Sequence, residues 1–486
     1  MPSCVAQVTG RIGGFPSASG KARPLKRARD LPVTLLAIGL TAAISGCANQ
    51  QAKPELDTTT VSAIPGSTAP ERPVTDLPEP PAGPLTLENA VRRAVRWHPA
   101  VGEAVAKLRQ QMESVSEAEA GYMPRIGWGI DSAYSSAEDD RYRPILNVSG
   151  SQLIYDFGKT EGRVRVASAG VEGRQASILV AIDDLAYETA AAMFEVQRYR
   201  ALIAVAREQI ADVKAVEALV KSRTDTGAST DSDLLQARAR VQAAEATKLQ
   251  LEGSLRRWES VLAAMTGIQG TPQVKNDKPA WLNSACSSGE PDWQRVPAIM
   301  EAAAAHKTAN AQLDLTRAEA LPSIALEGRV GSDVSRIGKR DPEIRFGLNV
   351  SGDIFNGGVS KARTNAAGYA LAAADAAIAR AKLDVQRALL ESSGQVASLS
   401  GLRGTLSRTE TTLKETRALY RTQYLELGTR TLLDVLNADQ EYHSARFQLA
   451  NAEYDLRKLS LDCIYNAGRI RQVFNLTGYQ VQGVAL

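Results

Sequence analysis

Two short segments of the chain carry charged residues at matching positions. Residues 428–438 read GTRTLLDVLNA and residues 227–237 read GASTDSDLLQA, so each has an aspartate six positions after a glycine, Asp434 and Asp233. Arg430 adds a cation to the later segment. Several copies of such a carboxylate around one narrow passage form a cation-selective ring. An acidic residue in the first turn of a helix is also stabilised by the helix dipole alone, and Arg430 could be an ordinary surface charge, so both interpretations stay open.

The two segments belong to a tandem duplication that covers most of the chain. An offset of 201 aligns residues 227–267 with residues 428–468 without insertion, and an offset of 198 aligns Pro99 with Pro297. A repeat of this length is one structural unit present twice. We therefore divide the body into a first repeat at 84–272, a connection at 273–296, a second repeat at 297–470 and a C-terminal tail at 471–486.

Each repeat is predicted to contain a helix, a β-hairpin, a long helix, a tight turn and a returning helix. Thr86 is expected to cap the first helix, which should continue to Gly121 because Pro124 cannot extend it. Apolar and polar residues then alternate over stretches long enough for strands, as at 126–131 and 344–354. This alternation is typical of a transmembrane β-strand, and also of a half-buried strand in a soluble sheet.

Long helices with a heptad repeat follow each hairpin. Residues 159–226 contain no proline, and within them apolar residues recur at every seventh position from 178 to 220. The second repeat has the same series from 371 to 420, interrupted once at Ser392. A sustained heptad series predicts coiled-coil packing. At about 1.5 Å per residue, the first of these helices would be roughly 100 Å long.

The predicted fold is therefore mainly α-helical with a small β part: a long coiled-coil α-barrel and four strands per chain. Four strands cannot close a transmembrane barrel, because the smallest barrels have about eight. Open strand edges are not tolerated in lipid. If the strands lie in a membrane, the chain must form oligomers, and three copies would supply about twelve strands around one pore.

The N-terminus has the order of a secretory signal, with a basic run, an apolar run at 31–44 and small residues before Cys47. Residues 44–47, ISGC, resemble the lipobox of bacterial lipoproteins, in which the cysteine becomes the acylated first residue. An ordinary signal peptide with a chance cysteine is the alternative. We expect residues 1–47 to be this signal segment and the proline-rich residues 48–83 to be a tether without a core.

The remaining reactive side chains do not form a recognisable site. His98, His306 and His443 lie far apart in sequence and lack a cysteine or carboxylate at ligand spacing, so we interpret them as structural. Cys286 and Cys463 could pair in an oxidising compartment or remain free thiols. The chain has no zinc motif or nucleophile elbow, and its net charge of +3 is spread along its length. The sequence therefore predicts no enzyme, no metal or other cofactor and no nucleic-acid partner.

Residues 85–476 resemble the TolC-like outer membrane efflux proteins. The resemblance rests on LTLENA at 85–90, the strand end YDFG at 155–158 and above all GTRTLLDVLNA at 428–438, which recurs with the internal repeat. It implies a homotrimer with a twelve-stranded β-barrel in the outer membrane of a Gram-negative bacterium, and a tunnel of helices across the periplasm. It also implies two protein partners, a periplasmic adaptor and an inner-membrane transporter.

The resemblance implies gate residues at the turns between the paired helices. Asp434 matches a ring carboxylate of the family, and Arg430 matches a helix-tip cation that can bond neighbouring helices. Asn437 stands where a second acidic residue can occur, so that ring would be neutral here. Leu425 stands where an aromatic gate residue can occur, although Tyr424 is adjacent.

The internal repeat extends these expectations to the first turn. By the offset of 201, Asp233 takes the place of Asp434. The turns themselves are expected to meet the adaptor. They consist of Thr226, Gly227 and Ala228 in the first repeat and Leu427, Gly428 and Thr429 in the second. A tight turn also requires glycine simply because of its positive φ, and both roles can hold together.

The resemblance implies that the chain is the exit channel of a tripartite export system. Small molecules, drugs or metals are favoured as cargo, since a lipid anchor is typical of members that serve such pumps. A type I secretion outlet for a large protein is the alternative within this class. A lipid-tethered periplasmic coiled-coil scaffold without a pore is the alternative from another class. It explains the heptads and Cys47 but not the alternating strands.

Overall fold

The computed structural model describes residues 83–134, 142–287, 290–334, 341–478, 480–481 and 484–485. The predicted signal segment, with Cys47, lies outside these residues, and so does all of the tether except its last residue. The loops at the ends of both β-hairpins lie outside them as well.

Each repeat folds into the predicted series of helix, hairpin, long helix and returning helix. The first contains α1 (Leu87–Trp97), α2 (Pro99–Glu119), β1 (Arg125–Tyr134), β2 (Tyr142–Tyr155), α3 (Lys159–Asp225) and α4 (Asp231–Thr266). The second contains α5 (Pro297–Glu319), β3 (Ser323–Asp333), β4 (Glu343–Ser351), α6 (Val359–Thr422) and α7 (Leu432–Asn466). The short α8 (Ile470–Val473), β5 (Gln480–Val481) and β6 (Val484–Ala485) follow. The prediction of a mainly helical chain with an internal repeat and a small β part is confirmed.

The prediction of one continuous helix ahead of β1 is wrong. The chain breaks at His98, which is extended (φ −63°, ψ 133°) and accepts a hydrogen bond from the N–H of Ala100 at 3.3 Å. Pro99 takes the first position of α2, where a missing N–H costs nothing, and the residue before a proline avoids the helical region. The expected cap of α1 is confirmed, because Thr86 Oγ1 accepts a hydrogen bond from the N–H of Asn89 at 3.3 Å.

The four long strands form one antiparallel sheet in the order β1-β2-β3-β4. Since β2 of the first repeat pairs with β3 of the second, the two repeats stand side by side in the sheet. Trp128, Val148, Val330 and Ile344 lie opposite one another on successive strands. This register collects the apolar side chains on one face, which remains open in the single chain, where Trp128 is 79% and Phe346 76% exposed.

The long helix α3 is the centre of the helical part. It packs against α2, α4, α5 and α7, and its heptad residues are buried apart from the half-buried Tyr199. The largest apolar cluster includes Met193 of α3, Ile464 of α7 and, after α8, Phe474. The segment predicted as a tail, residues 471–486, therefore begins inside this core.

The second long helix, α6, is far more exposed than α3. It packs on α5 and α7, and its heptad positions are buried or half-buried, as predicted. Another of its faces carries Tyr369, Leu383, Leu390 and Leu419, which are 60–78% exposed and lie at helical spacing. This face has no packing partner within the described residues of one chain. Nor do those residues include a helix that is both long and apolar enough to cross a membrane.

A disulfide joins Cys286, in the connection between the repeats, to Cys463 on α7, with a Cα–Cα distance of 5.2 Å. The sequence left pairing and free thiols open, and the structure shows pairing. The bridge fixes the connection against the buried end of α7, where Cys463 belongs to the largest apolar cluster.

We expect the double variant Cys286→Ser/Cys463→Ser to unfold more readily than the native protein. The bridge closes a loop of 177 residues, which lowers the conformational entropy of the unfolded chain. This raises the free energy of unfolding by about 2–5 kcal/mol. Thermal unfolding followed by circular dichroism measures the loss. Native protein treated with a reducing agent is the matched control and should shift by a similar amount. Identical midpoints for the native and variant proteins without reductant would show that the bridge contributes no stability.

Candidate functional site at the helix tips

The first helix tip lies between α3 and α4. Thr226 ends α3, and Gly227 reverses the chain in the left-handed conformation (φ +76°), which costs a residue with a Cβ about 1–2 kcal/mol. The N–H of Gly227 donates to Thr224 O at 2.9 Å, and that of Ala228 donates to Arg223 O at 2.7 Å. Backbone geometry therefore requires the glycine whatever else the tip does.

The second helix tip lies between α6 and α7. The helix passes into a π-helical turn, Gln423–Leu427, before the left-handed Gly428 (φ +60°). The N–H of Thr429 then donates to Gln423 O at 3.2 Å. Single π-helical turns occur in proteins mainly at functional sites. Leu427 points out of this turn and is 65% exposed.

Asp233 and Asp434 occupy equivalent positions in two capping boxes. Thr230 Oγ1 accepts from the N–H of Asp233 at 3.2 Å, and Asp233 Oδ2 accepts from the N–H of Thr230 at 3.1 Å. Thr431 and Asp434 repeat both bonds at the same two distances, 3.2 and 3.1 Å. The threonine N–H is the main cause that holds the pKa of each carboxyl below its ordinary value. Both aspartates are therefore negatively charged at neutral pH.

Arg430 makes its contacts at its own tip. Its Nε donates to Gln423 Oε1 at 3.1 Å, and its guanidinium lies 4.2 Å from the centre of the Tyr420 ring. In the described part of this single chain, no hydrogen bond links Arg430 to Asp233 or Asp434. Both contacts therefore lie within the second tip.

Tyr424 joins the two tips of one chain. It is 7% exposed and packs with Val216 on α3 and Leu436 on α7. The guanidinium of Arg223, at the first tip, lies 4.9 Å from the centre of its ring. The neighbouring Leu425 is exposed instead. The aromatic ring at this tip is thus held between the repeats.

Asn437 also contacts the other repeat. Arg240 on α4 donates from Nη2 to Asn437 Oδ1 at 3.3 Å. The neutral amide therefore accepts a charge-assisted hydrogen bond at the position where a carboxylate would form an ion pair.

The structure places all of the predicted tip residues at the two turns and joins Tyr424 and Asn437 to the first repeat. The sequence analysis missed Arg223 and Arg240, because their partners lie far away along the chain. It also missed the reciprocal caps, although a threonine three positions before each aspartate is a known capping-box signal.

Farther along the helices, a buried charge cluster of Asp212, Arg417, Asp439 and His443 joins α3, α6 and α7. Arg417 Nη2 lies 2.8 Å from Asp212 Oδ1, and Arg417 also hydrogen-bonds to Asp439. His443 Nε2 lies 2.9 Å from Asp212 Oδ2. Arg417 and Asp212 are partly exposed, at 15% and 32%, so removing one partner costs less than the about 3–5 kcal/mol of a fully buried ion pair. The buried charge cluster therefore resists separation of the first repeat from α6 and α7.

Burial sets the protonation of this cluster. It lowers the pKa of His443 below the ordinary value, against the opposing attraction of Asp212. It raises the pKa of Asp439, against the opposing effect of Arg417. His443 is fully buried, and within the described residues its Nδ1 has no hydrogen-bond partner, so the ring is neutral at pH 7. This agrees with a structural role, with a carboxylate partner that sequence spacing could not identify.

Comparison with known proteins finds one protein family that matches both repeats. The sequence profile described as outer membrane efflux protein matches residues 90–268 and 293–461, one segment in each repeat. The chain is 24% identical over 305 residues to Protein CyaE of Bordetella pertussis, covering 58% of this chain and 63% of that protein, which is less than two thirds of its length. It is 22% identical over 410 residues to outer membrane protein TolC of Salmonella enteritidis, covering 79% and 82% of the two chains.

A solved structure has the same fold. The outer membrane protein VceC of Vibrio cholerae superimposes with a TM-score of 0.67 at 17% identity, covering 79% of this chain and 96% of that one. A four-stranded sheet joined to long paired helices thus defines an outer membrane channel fold. The sequence profile covers most of both repeats, and the chain belongs to the outer membrane efflux protein family.

Acidification should loosen the contact between α3 and α7 through His443. Because its folded-state pKa is lowered, the unfolded chain takes up the proton first as the pH falls below about 6.5. Stability then falls by up to about 1.4 kcal/mol per pH unit. His443→Gln should remove this part of the pH dependence. The raised pKa of Asp439 acts in the opposite direction in both proteins.

Thermal unfolding midpoints at about pH 7.5 and about pH 5.5 measure the effect. His306→Gln is the control, because that ring is 34% exposed and pairs with Asp375 on α6. The same loss of stability on acidification in native protein and His443→Gln would contradict the prediction.

Proposed function

We propose that the chain is the outer membrane exit channel of a tripartite export system, which passes substrates from an inner-membrane transporter and a periplasmic adaptor to the outside. One observation carries the proposal. An antiparallel sheet with one apolar face, one polar face and two edge strands is joined directly to two long helical hairpins. Membership of the efflux protein family supports the outer membrane location. A periplasmic scaffold would give such a sheet no role.

A homotrimer is the assembly that completes this sheet. β1 and β4 are its edges, and lipid does not tolerate unpaired backbone groups there. Pairing β4 of one copy with β1 of the next closes a ring, and three copies give about twelve strands with the apolar face toward lipid. The exposed apolar face of α6 supplies contact surface for the same assembly along the helices.

The helix tips are the proposed gate of the channel. Asp233 and Asp434 are charged at neutral pH, so three copies of each would form rings that attract cations. Asn437 adds no charge to the constriction. Arg430 and Tyr424 would hold the closed state, Arg430 from the second tip and Tyr424 through its contacts with the first repeat.

The turns are the proposed contact with the adaptor. They present short backbone loops and few large side chains, and Leu427 is the prominent apolar one. The contact residues are Thr226, Gly227 and Ala228 at the first tip and Leu427, Gly428 and Thr429 at the second. An adaptor that docks end-on against these turns would pull directly on the gate residues beside them.

The proposed cargo is small molecules, drugs or metals, and the proposed anchor is a lipid on Cys47. The support for both is the lipobox-like sequence at 44–47, followed by a proline-rich tether. The neighbouring transporter gene distinguishes this cargo from a secreted protein. A large proton-coupled pump favours small molecules or metals, and an ABC transporter favours type I protein secretion.

Native mass spectrometry of the protein extracted from outer membranes tests the assembly. We expect a trimer with one lipid modification per chain, because three copies would close the sheet into a barrel and Cys47 is the expected acylation site. Cys47→Ser should lose the lipid mass and keep the trimer. A monomer or a dimer in mild detergent would remove the barrel and return the scaffold to consideration.

Planar-bilayer recording tests the gate. Arg430→Ser removes an exposed hydrogen bond and an exposed cation–π contact worth about 1 kcal/mol together, so we expect the open fraction and mean conductance to rise by about fivefold. Arg430→Lys, which retains the charge, is the matched control and should rise less. Asp434→Asn keeps an acceptor for the cap and removes the charge, so cation preference should fall. Conductance and ion selectivity that stay at native values in both Arg430→Ser and Asp434→Asn would contradict the gate.

A further inference from the structure

The polar face of the sheet has a charge pattern that amphipathic character does not require. Arg329 on β3 lies directly opposite Arg345 on β4, and Ser149 on β2 lies opposite Arg329 on its other side. Gly127 on β1 lies opposite Ser149, and a Cβ there would be 3.8 Å from Ser149 Oγ. These four residues form what we call the arginine row. Like charges directly opposite each other destabilise a strand pair, so the row does not serve the stability of the sheet.

The neighbouring rows neutralise only one of the two arginines in the arginine row. Arg345 Nη2 pairs with Glu343 at 2.6 Å. Glu327, the acidic residue nearest to Arg329 along β3, accepts instead from the amide of Asn349 at 2.7 Å. Arg329 itself is exposed and forms no ion pair within the described part of the chain. The row contains no acidic side chain, and its other two members are small.

A second row of the same face has the opposite sign. Asp131, Ile145 and Asp333 lie opposite one another on β1, β2 and β3. We call these residues the acidic row. It lies four residues nearer to the hairpin loops than the arginine row on each of these strands, a separation of about 13 Å.

We propose that the arginine row is a selectivity element of the channel lumen, which attracts anions and the anionic groups of cargo at the middle of the sheet. The inference rests on the proposed function, because a closed barrel is what places the polar face around water. Two guanidinium groups from each of three copies would then surround the lumen, and basic rings favour anions. Guanidinium groups also bind carboxylates and phosphates through paired hydrogen bonds. The barrel would thus select for the opposite sign of charge to the tip aspartates.

Single cysteines at two positions of the polar face test the inference. Ser149→Cys places a thiol in the arginine row, and Ile145→Cys places one in the acidic row of the same strand as a matched control. Cells or channel-containing vesicles are treated from outside, at low ionic strength, with two membrane-impermeant methanethiosulfonates. One carries an anionic sulfonatoethyl group and the other a cationic trimethylammonioethyl group. Cys286 and Cys463 are paired in the disulfide, and protein without an added cysteine supplies the background rate.

Each reaction rate is first divided by the rate of the same reagent with a free thiol in solution. At position 149 we expect this corrected rate to be about five to ten times higher for the anionic reagent than for the cationic one. At position 145 the order should reverse. Arg329→Gln/Arg345→Gln should abolish the preference at 149 and leave the preference at 145. Arg329→Lys/Arg345→Lys should retain both.

The labelling experiment separates failure of the selectivity role from failure of the channel function. Equal rates of the two reagents at position 149, unchanged by the double glutamine variant, would overturn the selectivity role and leave the channel intact. No reaction of either thiol with either reagent would overturn the proposed function itself, because the polar face would then not line water.

Discussion

Unpaired backbone groups on β1 and β4 are the constraint from which the remaining architecture follows. A four-stranded sheet with an apolar face cannot end in lipid, because every unpaired N–H and C=O costs several kcal/mol there. The duplication removes only some of these unpaired edges. It pairs β2 with β3, which brings the repeats together and leaves one free edge from each repeat at the outside. In the proposed oligomer, copies would therefore join edge to edge, and the long helices attached to the strands would follow the same symmetry.

At each tip, the capping-box hydrogen bonds both stabilise the start of a helix and keep the aspartate carboxyl ionised. The carboxylates of Asp233 and Asp434 accept from backbone N–H groups at the start of α4 and α7, which would otherwise lack partners. The same bonds favour the ionised form of each carboxyl. A first-turn acidic residue stabilised by its helix and a charged group at a constriction are therefore compatible descriptions of one side chain. The cap holds the charge at a fixed position at the tip.

The elements of the fold were predictable because their signals are local. Heptads, strand alternation and turn glycines each depend on residues within a few positions. Contacts such as Arg240 with Asn437 depend on the rotation of each helix about its axis, which a heptad pattern does not determine. Pairing of Cys286 with Cys463 depends on where an irregular connection packs, which no periodicity reports. The break at His98 had a local signal in Pro99, which the sequence analysis did not use.

The two repeats have unequal freedom, although they share one pattern. α3 is enclosed by α2, α4, α5 and α7, whereas α6 packs on α5 and α7 and keeps an exposed apolar face. Near the tips, the pair α6–α7 is tied to the first repeat by Tyr424, by Asn437 and by the buried charge cluster. Displacing the tip ends of α6 and α7 breaks these ties, whereas α3 and the far end of α7, at Ile464, belong to the largest apolar core. In the proposed gate, movement of a tip within one chain would therefore fall to the tip half of the second repeat. Contacts of the exposed α6 face with a neighbouring copy would then determine whether the displaced position is stable.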